Sequence, residues 1–217
     1  MSFLAEFFRD PFTVGAIAPS SSGLARMATV AVPRTGSPVI VELGPGTGAF
    51  TAAIQQRLGG RGRHIAIEVN PRFAQLLAAR YPGADVVNAD AADLSTVLAQ
   101  RGLGGADVVV SGLPWAAFGE GLQRDVLSAV VAALPPHGVF TTFAYVHTRW
   151  TIPARRLLRA VRSLFDEVVV SGTEWSNLPP ALVYYCRRPL PTASRAAIVA
   201  AQPGQSFLGA THEQFVH

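Results

Sequence analysis

The sequence predicts an α/β fold: a seven-stranded, mostly parallel sheet with helices on both faces and an antiparallel hairpin at one edge. Three observations carry that expectation. Short apolar runs alternate with segments of helical periodicity from residue 38 onward, the pattern of a parallel sheet covered on both sides. The last two apolar runs, "EVVVSGTEW" and "ALVYYCRR", follow one another with only a loop between them, which suits antiparallel neighbours. A glycine-rich turn, "GPGTG", joins the first run to a helical segment, where the chain must bend sharply.

The elements follow in order. "SFLAEFFRD" sets Phe3, Leu4, Phe7 and Phe8 at helical spacing, with Glu6 and Arg9 between them, and predicts a short amphipathic helix within residues 1–10. Ser20, Ser21 and Ser22 offer N-caps for a helix through "GLARMATVA", expected within 20–31. "PVIVEL" is a buried strand and "AFTAAIQQRL" a helix. "RHIAIEV" is the second strand, and "PRFAQLLAARY" a helix with Pro71 in its first turn. "ADVVNA" and "ADVVVS" are the third and fourth strands, "GLQRDVLSAVVAAL" a helix, "GVFTTFAYV" the fifth strand and "PARRLLRAVRSLF" a basic helix before the closing hairpin. A single domain is expected over 1–190. Residues 191–217 lose clear periodicity and read as a tail.

Composition narrows the class. A chain of 217 residues with 49% hydrophobic and 15% charged residues has the core of a folded domain and the opposite balance to a disordered chain. The 18 basic residues are all Arg, and the net charge of +4 is compatible with nucleic acid or an anionic membrane surface. The single cysteine, Cys186, rules out an internal disulfide and fits a reducing cytoplasm. No signal peptide is expected at the N-terminus, and no apolar run reaches the ~20 residues that span a bilayer.

"VELGPGTG", residues 41–48, marks a ligand-binding turn. Gly44, Gly46 and Gly48 let the backbone approach a ligand closely, and the following helix start presents free N–H groups. The spacing departs from a dinucleotide fingerprint, because Ala49 stands where its third glycine belongs. Glu68 ends the second strand roughly twenty residues past the loop, where an acid accepts both hydroxyls of a ribose. Asp90, with Ala91 beside it, follows the third strand and is placed to accept from an adenine amino group. Each acid taken singly also suits a helix cap or a solvent-facing position.

Taken with "VGAIAPSS", "SGLPW" and "NLPPALVYY", the motif resembles the Rossmann-like class I S-adenosylmethionine-dependent methyltransferases. Within them it is similar to the bacterial phospholipid N-methyltransferases that act on phosphatidylethanolamine. The resemblance covers about residues 7–188. The glycine loop is specific only to the superfamily, and the other stretches point to the lipid branch. It implies S-adenosylmethionine as cofactor, bound by Glu42, Gly44, Gly46, Gly48, Glu68, Asp90, Ala91 and Ser111, with Glu42 at the methionine end. Gly112, Leu113, Pro114 and Trp115 would line the gap between methyl donor and amine. Ser20 and Ser21 would serve either in a lid over the cofactor or as N-caps.

"SGLPW" separates the acceptor classes. Loops that methylate nucleic-acid bases carry Asn near the position of Gly112, so no nucleic-acid partner is expected. Gly112 suits a narrow channel for an ethanolamine head group, and Trp115 suits cation–π contact with a methylated ammonium or packing under the next helix. "NLPPA" looks like an amino-methyltransferase motif, but its place in the chain makes it a hairpin loop.

A primary ammonium must lose its proton before it attacks. Tyr145 and His147, near the end of the fifth strand, are the candidate catalytic acceptors, with Glu174 behind them; His64 and His137 have no expected role. No metal is expected. The protein is expected in the cytoplasm, attached peripherally to an anionic membrane through the N-terminal helix and the row Arg155, Arg156, Arg159 and Arg162. An rRNA adenine methyltransferase and a small-molecule methyltransferase are the alternatives.

Overall fold

The computed structural model describes residues 20–191. The amphipathic helix expected within 1–10 and the tail beyond residue 191 lie outside the described residues.

Seven strands form one sheet: β1 (Val39–Leu43), β2 (Arg63–Glu68), β3 (Asp85–Asn88), β4 (Val108–Ser111), β5 (Val139–Tyr145), β6 (Phe165–Val170) and β7 (Ala181–Pro189). Their order is β3-β2-β1-β4-β5-β7-β6. The first five run parallel, in register from Val41 beside Ile65 to Ser111 beside Thr142. β7 enters antiparallel between β5 and β6. This is the sheet the alternating pattern and the closing hairpin predict.

The helices are α1 (Ser22–Ala28), α2 (Ala49–Leu58), α3 (Pro71–Arg80), α4 (Leu94–Ala99), α5 (Glu120–Ala133) and α6 (Ile152–Leu164). α4 is absent from the sequence reading: "LSTVLA" is six residues long, too short for periodicity to announce it. Strand alternation sorts the core into two layers. Val109 and Phe140 join the residues under α4, α5 and α6. Val108 and Val110 join Leu24, Phe50 and Ile54 under α1 and α2.

Local chemistry fixes several ends. Asn70 caps α3 by accepting from the Arg72 and Phe73 N–H groups, and Pro71 fills the first turn, where its missing N–H costs nothing. Thr151 caps α6 in the same way. At the β3 edge, Arg101 holds Asp85 through two bonds of 2.6 and 2.9 Å.

α1 falls within the expected 20–31, and its Leu24, Ala25 and Ala28 are buried in the sheet-covering core. The Ala28 and Met27 carbonyls accept from Thr141 and Tyr185 of the sheet. These contacts make it a layer of the fold. Ser21 is its N-cap, accepting from the Leu24 N–H at 3.1 Å, so the capping alternative accounts for that serine.

Candidate functional site

β1 has β2 on one side and β4 on the other. The chain leaves β1 and β4 in different directions at this switch point, opening a crevice at the carboxyl edge. The loop after β1 and the loop after β4 meet there. Gly44, Gly46 and Gly48 take φ of 66°, 52° and 88°, conformations that a side chain would strain. The Gly112 N–H donates to the Leu43 carbonyl at 2.8 Å. A Cβ on Gly112 would lie 2.6 Å from the Gly44 oxygen, and one on Gly44 would lie 2.7 Å from Leu113 Cδ2. Gly112 is therefore a residue of close approach between two loops. The head-group channel expected at this position is filled by the Gly44 carbonyl.

Two pockets open beside this contact. The first is lined by Gly44, Ile67, Glu68, Val69, Asp90, Ala91, Leu113, Phe118 and Val126. It offers an apolar slot with two carboxyl groups at its border. Asp90 also caps the turn that follows it, accepting from the Ala92 N–H at 2.9 Å. Glu68 is fully buried and binds the glycine loop directly: Oε2 accepts from the Gly46 N–H at 3.0 Å and Oε1 from the Asn70 N–H at 2.9 Å. Each carboxylate oxygen has a second lone pair, so both retain capacity for a ribose hydroxyl. Burial raises the Glu68 pKa, against the lowering effect of those backbone bonds.

Glu42 and Ser111 lie beneath the loops rather than in the pocket lining. Strand alternation turns Glu42 toward α2, where its Oε2 accepts from Thr51 at 2.8 Å and meets His64 Nε2 at 3.1 Å. Gln55 Nε2 lies 2.8 Å from His64 Nδ1 and also donates to the Gly83 carbonyl. An amide N–H at Nδ1 assigns the imidazole hydrogen to Nε2, facing Glu42. His64, given no role from the sequence, is thus the buried partner of the loop's acid. Glu42 Oε1 is buried and has no hydrogen-bond partner among the described residues, an orphaned acceptor beneath the glycine turn.

Ser111 is fully buried; its hydroxyl receives the Trp115 Nε1–H at 3.1 Å and the Leu113 N–H at 3.3 Å. Trp115 is only 2% exposed and packs on Phe118 and Phe140. The packing alternative accounts for it, with its edge left in a pocket wall.

The second pocket is lined by Leu113, Pro114, Trp115, Ala116, Ala117, Phe143, Ala144, Tyr145, Thr148, Ala154 and Leu157. It is almost wholly apolar. Leu113 lines both pockets. β5 ends at Tyr145, and His147 sits in the 3-10 turn that follows, so strand alternation does not align the two. The turn instead stacks their rings, with centroids 5.8 Å apart and planes 20° apart. Burial raises the Tyr145 phenol pKa, which keeps it a hydrogen-bonding O–H and works against it as a proton acceptor. His147 is exposed at the pocket's margin. Glu174 lies in the β6–β7 loop and binds Ser176. The "NLPPA" stretch lies in that same loop, as its position predicts, with Asn177 accepting from the Ser21 N–H at 2.8 Å.

The sequence missed Ile67, Val69, Phe118 and Val126 of the first pocket and Phe143, Ala144, Ala154 and Leu157 of the second. Those apolar side chains carry no signal beyond membership of a strand or helix. Among the described residues, no group of His, Cys, Asp and Glu could hold a metal ion.

The site fits adenosine-bearing ligands on its own terms. An apolar slot, two bordering carboxyl groups and open space above Gly46, where a Cβ would meet nothing within 4 Å, leave room beside the turn. Comparison with known proteins agrees. No family model matches the chain. An ornithine lipid N-methyltransferase from Singulisphaera acidiphila is 40% identical over 191 residues, covering 85% of this chain and 94% of that protein. A TehB-like SAM-dependent methyltransferase from Corynebacterium glutamicum superposes with a TM-score of 0.56 at 17% identity, over 85% of this chain and 96% of that one. Human methyltransferase-like protein 13 in complex with SAH gives 0.55 at 19%, over 82% and 86%. At those identities the two structures share the fold.

Proposed function

The chain belongs to the class I S-adenosylmethionine-dependent methyltransferase family that includes the ornithine lipid N-methyltransferase, and from that premise we propose that it methylates the amine of a membrane lipid. S-adenosylmethionine is its cofactor and supplies an activated methyl group on a sulfonium. The observation that carries the acceptor reading is the pair of pockets that meet at Leu113, one bordered by carboxyl groups and one apolar. The first holds the cofactor through Gly44, Glu68, Asp90 and Ala91. The second receives the amine.

The relative's acceptor makes ornithine lipid the leading candidate, ahead of the phosphatidylethanolamine expected from sequence. Both present an aliphatic amine whose ordinary pKa is near ~10.4. Apolar walls at Leu113, Pro114, Trp115 and Leu157 penalise the ammonium and favour the neutral amine. They also hold it in line with the methyl donor and exclude water. Tyr145 orients the amine through its O–H. The exposed His147, stacked on Tyr145, is placed to pass the released proton to water.

The test is transfer of label from S-adenosylmethionine to vesicles carrying ornithine lipid or phosphatidylethanolamine, with free ornithine and RNA as controls. Label in ornithine lipid is the expected result. Label in free ornithine or RNA alone would overturn the lipid reading.

A further inference from the structure

We infer that the carboxyl edge of the sheet, bearing Trp150, Ile152, Trp175 and Leu178 with Arg149 and Arg155 among them, docks flat on an anionic lipid bilayer. This inference rests on the lipid-acceptor reading above and names the surface through which the acceptor arrives. The four are the most exposed large hydrophobic side chains among the described residues: Trp150 is 81% exposed, Trp175 and Leu178 72%, and Ile152 71%. They come from two separate segments that the fold brings to one edge. Tyr145 at the end of β5 pairs with Ala181, which bridges to Glu174. The Val146 N–H donates to the Pro180 carbonyl at 2.8 Å. The turn that leads to Trp150 and the loop that holds Trp175 and Leu178 are therefore joined at the strand ends.

The occupant follows from chemistry and place. Tryptophan sits by preference at the boundary between hydrocarbon and water, with its ring buried and its N–H wet. Arg149 and Arg155 make no ion pair among the described residues, and free cations beside an apolar rim complement anionic head groups. Thr148 and Ala154, on either side of Trp150 and Ile152, line the acceptor pocket. A lipid whose acyl chains stay in the bilayer can then reach the pocket with its head group alone. The chain also enters the described region at this rim, since the Ser21 N–H binds Asn177 of the same loop.

The full-length protein tests this with its own fluorescence. It has three tryptophans, of which Trp115 is buried and Trp150 and Trp175 are exposed. Vesicles of brominated phosphatidylcholine with phosphatidylglycerol should quench the wild-type emission, and the Trp150→Phe, Trp175→Phe double variant should lose that quenching. Trp150→Ser with Trp175→Ser should lower methylation of vesicle lipid by roughly ten-fold or more while leaving activity on lipid dispersed in detergent micelles intact. Vesicle binding without quenching would overturn the docking face, as would quenching by RNA in place of vesicles or an equal loss on micelles. A wild type that methylates lipid in neither form would instead refute the acceptor reading, and the quenching result would still decide the docking.

Discussion

The carbonyl of Gly44 occupies the space that a side chain at position 112 would need: a Cβ on Gly112 would lie 2.6 Å from that oxygen. Backbone cannot yield there as a flexible side chain would. Gly112→Ala should push the two loops apart at the floor of the cofactor pocket. Overpacking of this kind costs about 1–3 kcal/mol, which is roughly 5- to 150-fold in affinity if it falls on the bound state. Calorimetric titration with S-adenosylhomocysteine should show that weakening with the fold retained. Unchanged affinity would mean that the loops separate freely.

His64 donates to Glu42 in a site where both side chains are fully buried. His64→Phe removes the donor and leaves a buried acceptor short of a partner, a loss of about 1–3 kcal/mol. Urea unfolding should record it. Because the two residues share one network with Thr51, Glu42→Gln and His64→Phe together should cost less than the sum of the single changes. Strict additivity would show that the contact carries no coupling.

Glu68 must be ionised to accept from ribose hydroxyls with both oxygens. Burial raises its pKa, so on acidification it takes up its proton earlier than an exposed glutamate would. Cofactor affinity should therefore begin to fall at a pH above the ordinary glutamate value of about 4.3. Glu68→Gln should remove that acid limb and weaken binding at neutral pH, since the amide NH2 would face a backbone N–H at Gly46 or Asn70. Affinity measured from pH 4 to 8 distinguishes the two proteins.

Tyr145 gives the opposite kind of pH prediction. Its raised pKa keeps the phenol protonated to beyond its ordinary value of about 10. Tyr145→Phe should lower the rate without changing the shape of the pH–rate profile below pH 9. Loss of a titrating limb in the variant would identify Tyr145 as the proton acceptor after all.

The fold was legible because its signals are long-range patterns. Alternating strands and helices gave the parallel sheet, and two strands in succession gave the antiparallel edge. Glu68 and Asp90 were legible as acids at strand ends, and structure adds that Glu68 also builds the turn it was expected only to accompany. Gly112 and His64 were misread, and Trp115 was left between two readings, because their reasons are tertiary. Gly112 is small for the sake of Gly44, a neighbour 68 positions away in the chain. Trp115 is held by Ser111 and two phenylalanines. His64 lies near the start of β2, and only the alternation that turns Glu42 the same way reveals its partner. The apolar pocket walls had no chemical label to read.

The central claim is that a lipid amine enters the apolar pocket on the far side of Leu113 from the cofactor. Ala117 and Ala144 line that pocket and not the first one. Mass spectrometry of ornithine lipid incubated with S-adenosylmethionine and either Ala117→Phe or Ala144→Phe tests it most directly. The account predicts that methylated lipid falls sharply in both variants while cofactor affinity stays at the wild-type value. Undiminished methylation with the pocket filled would contradict it.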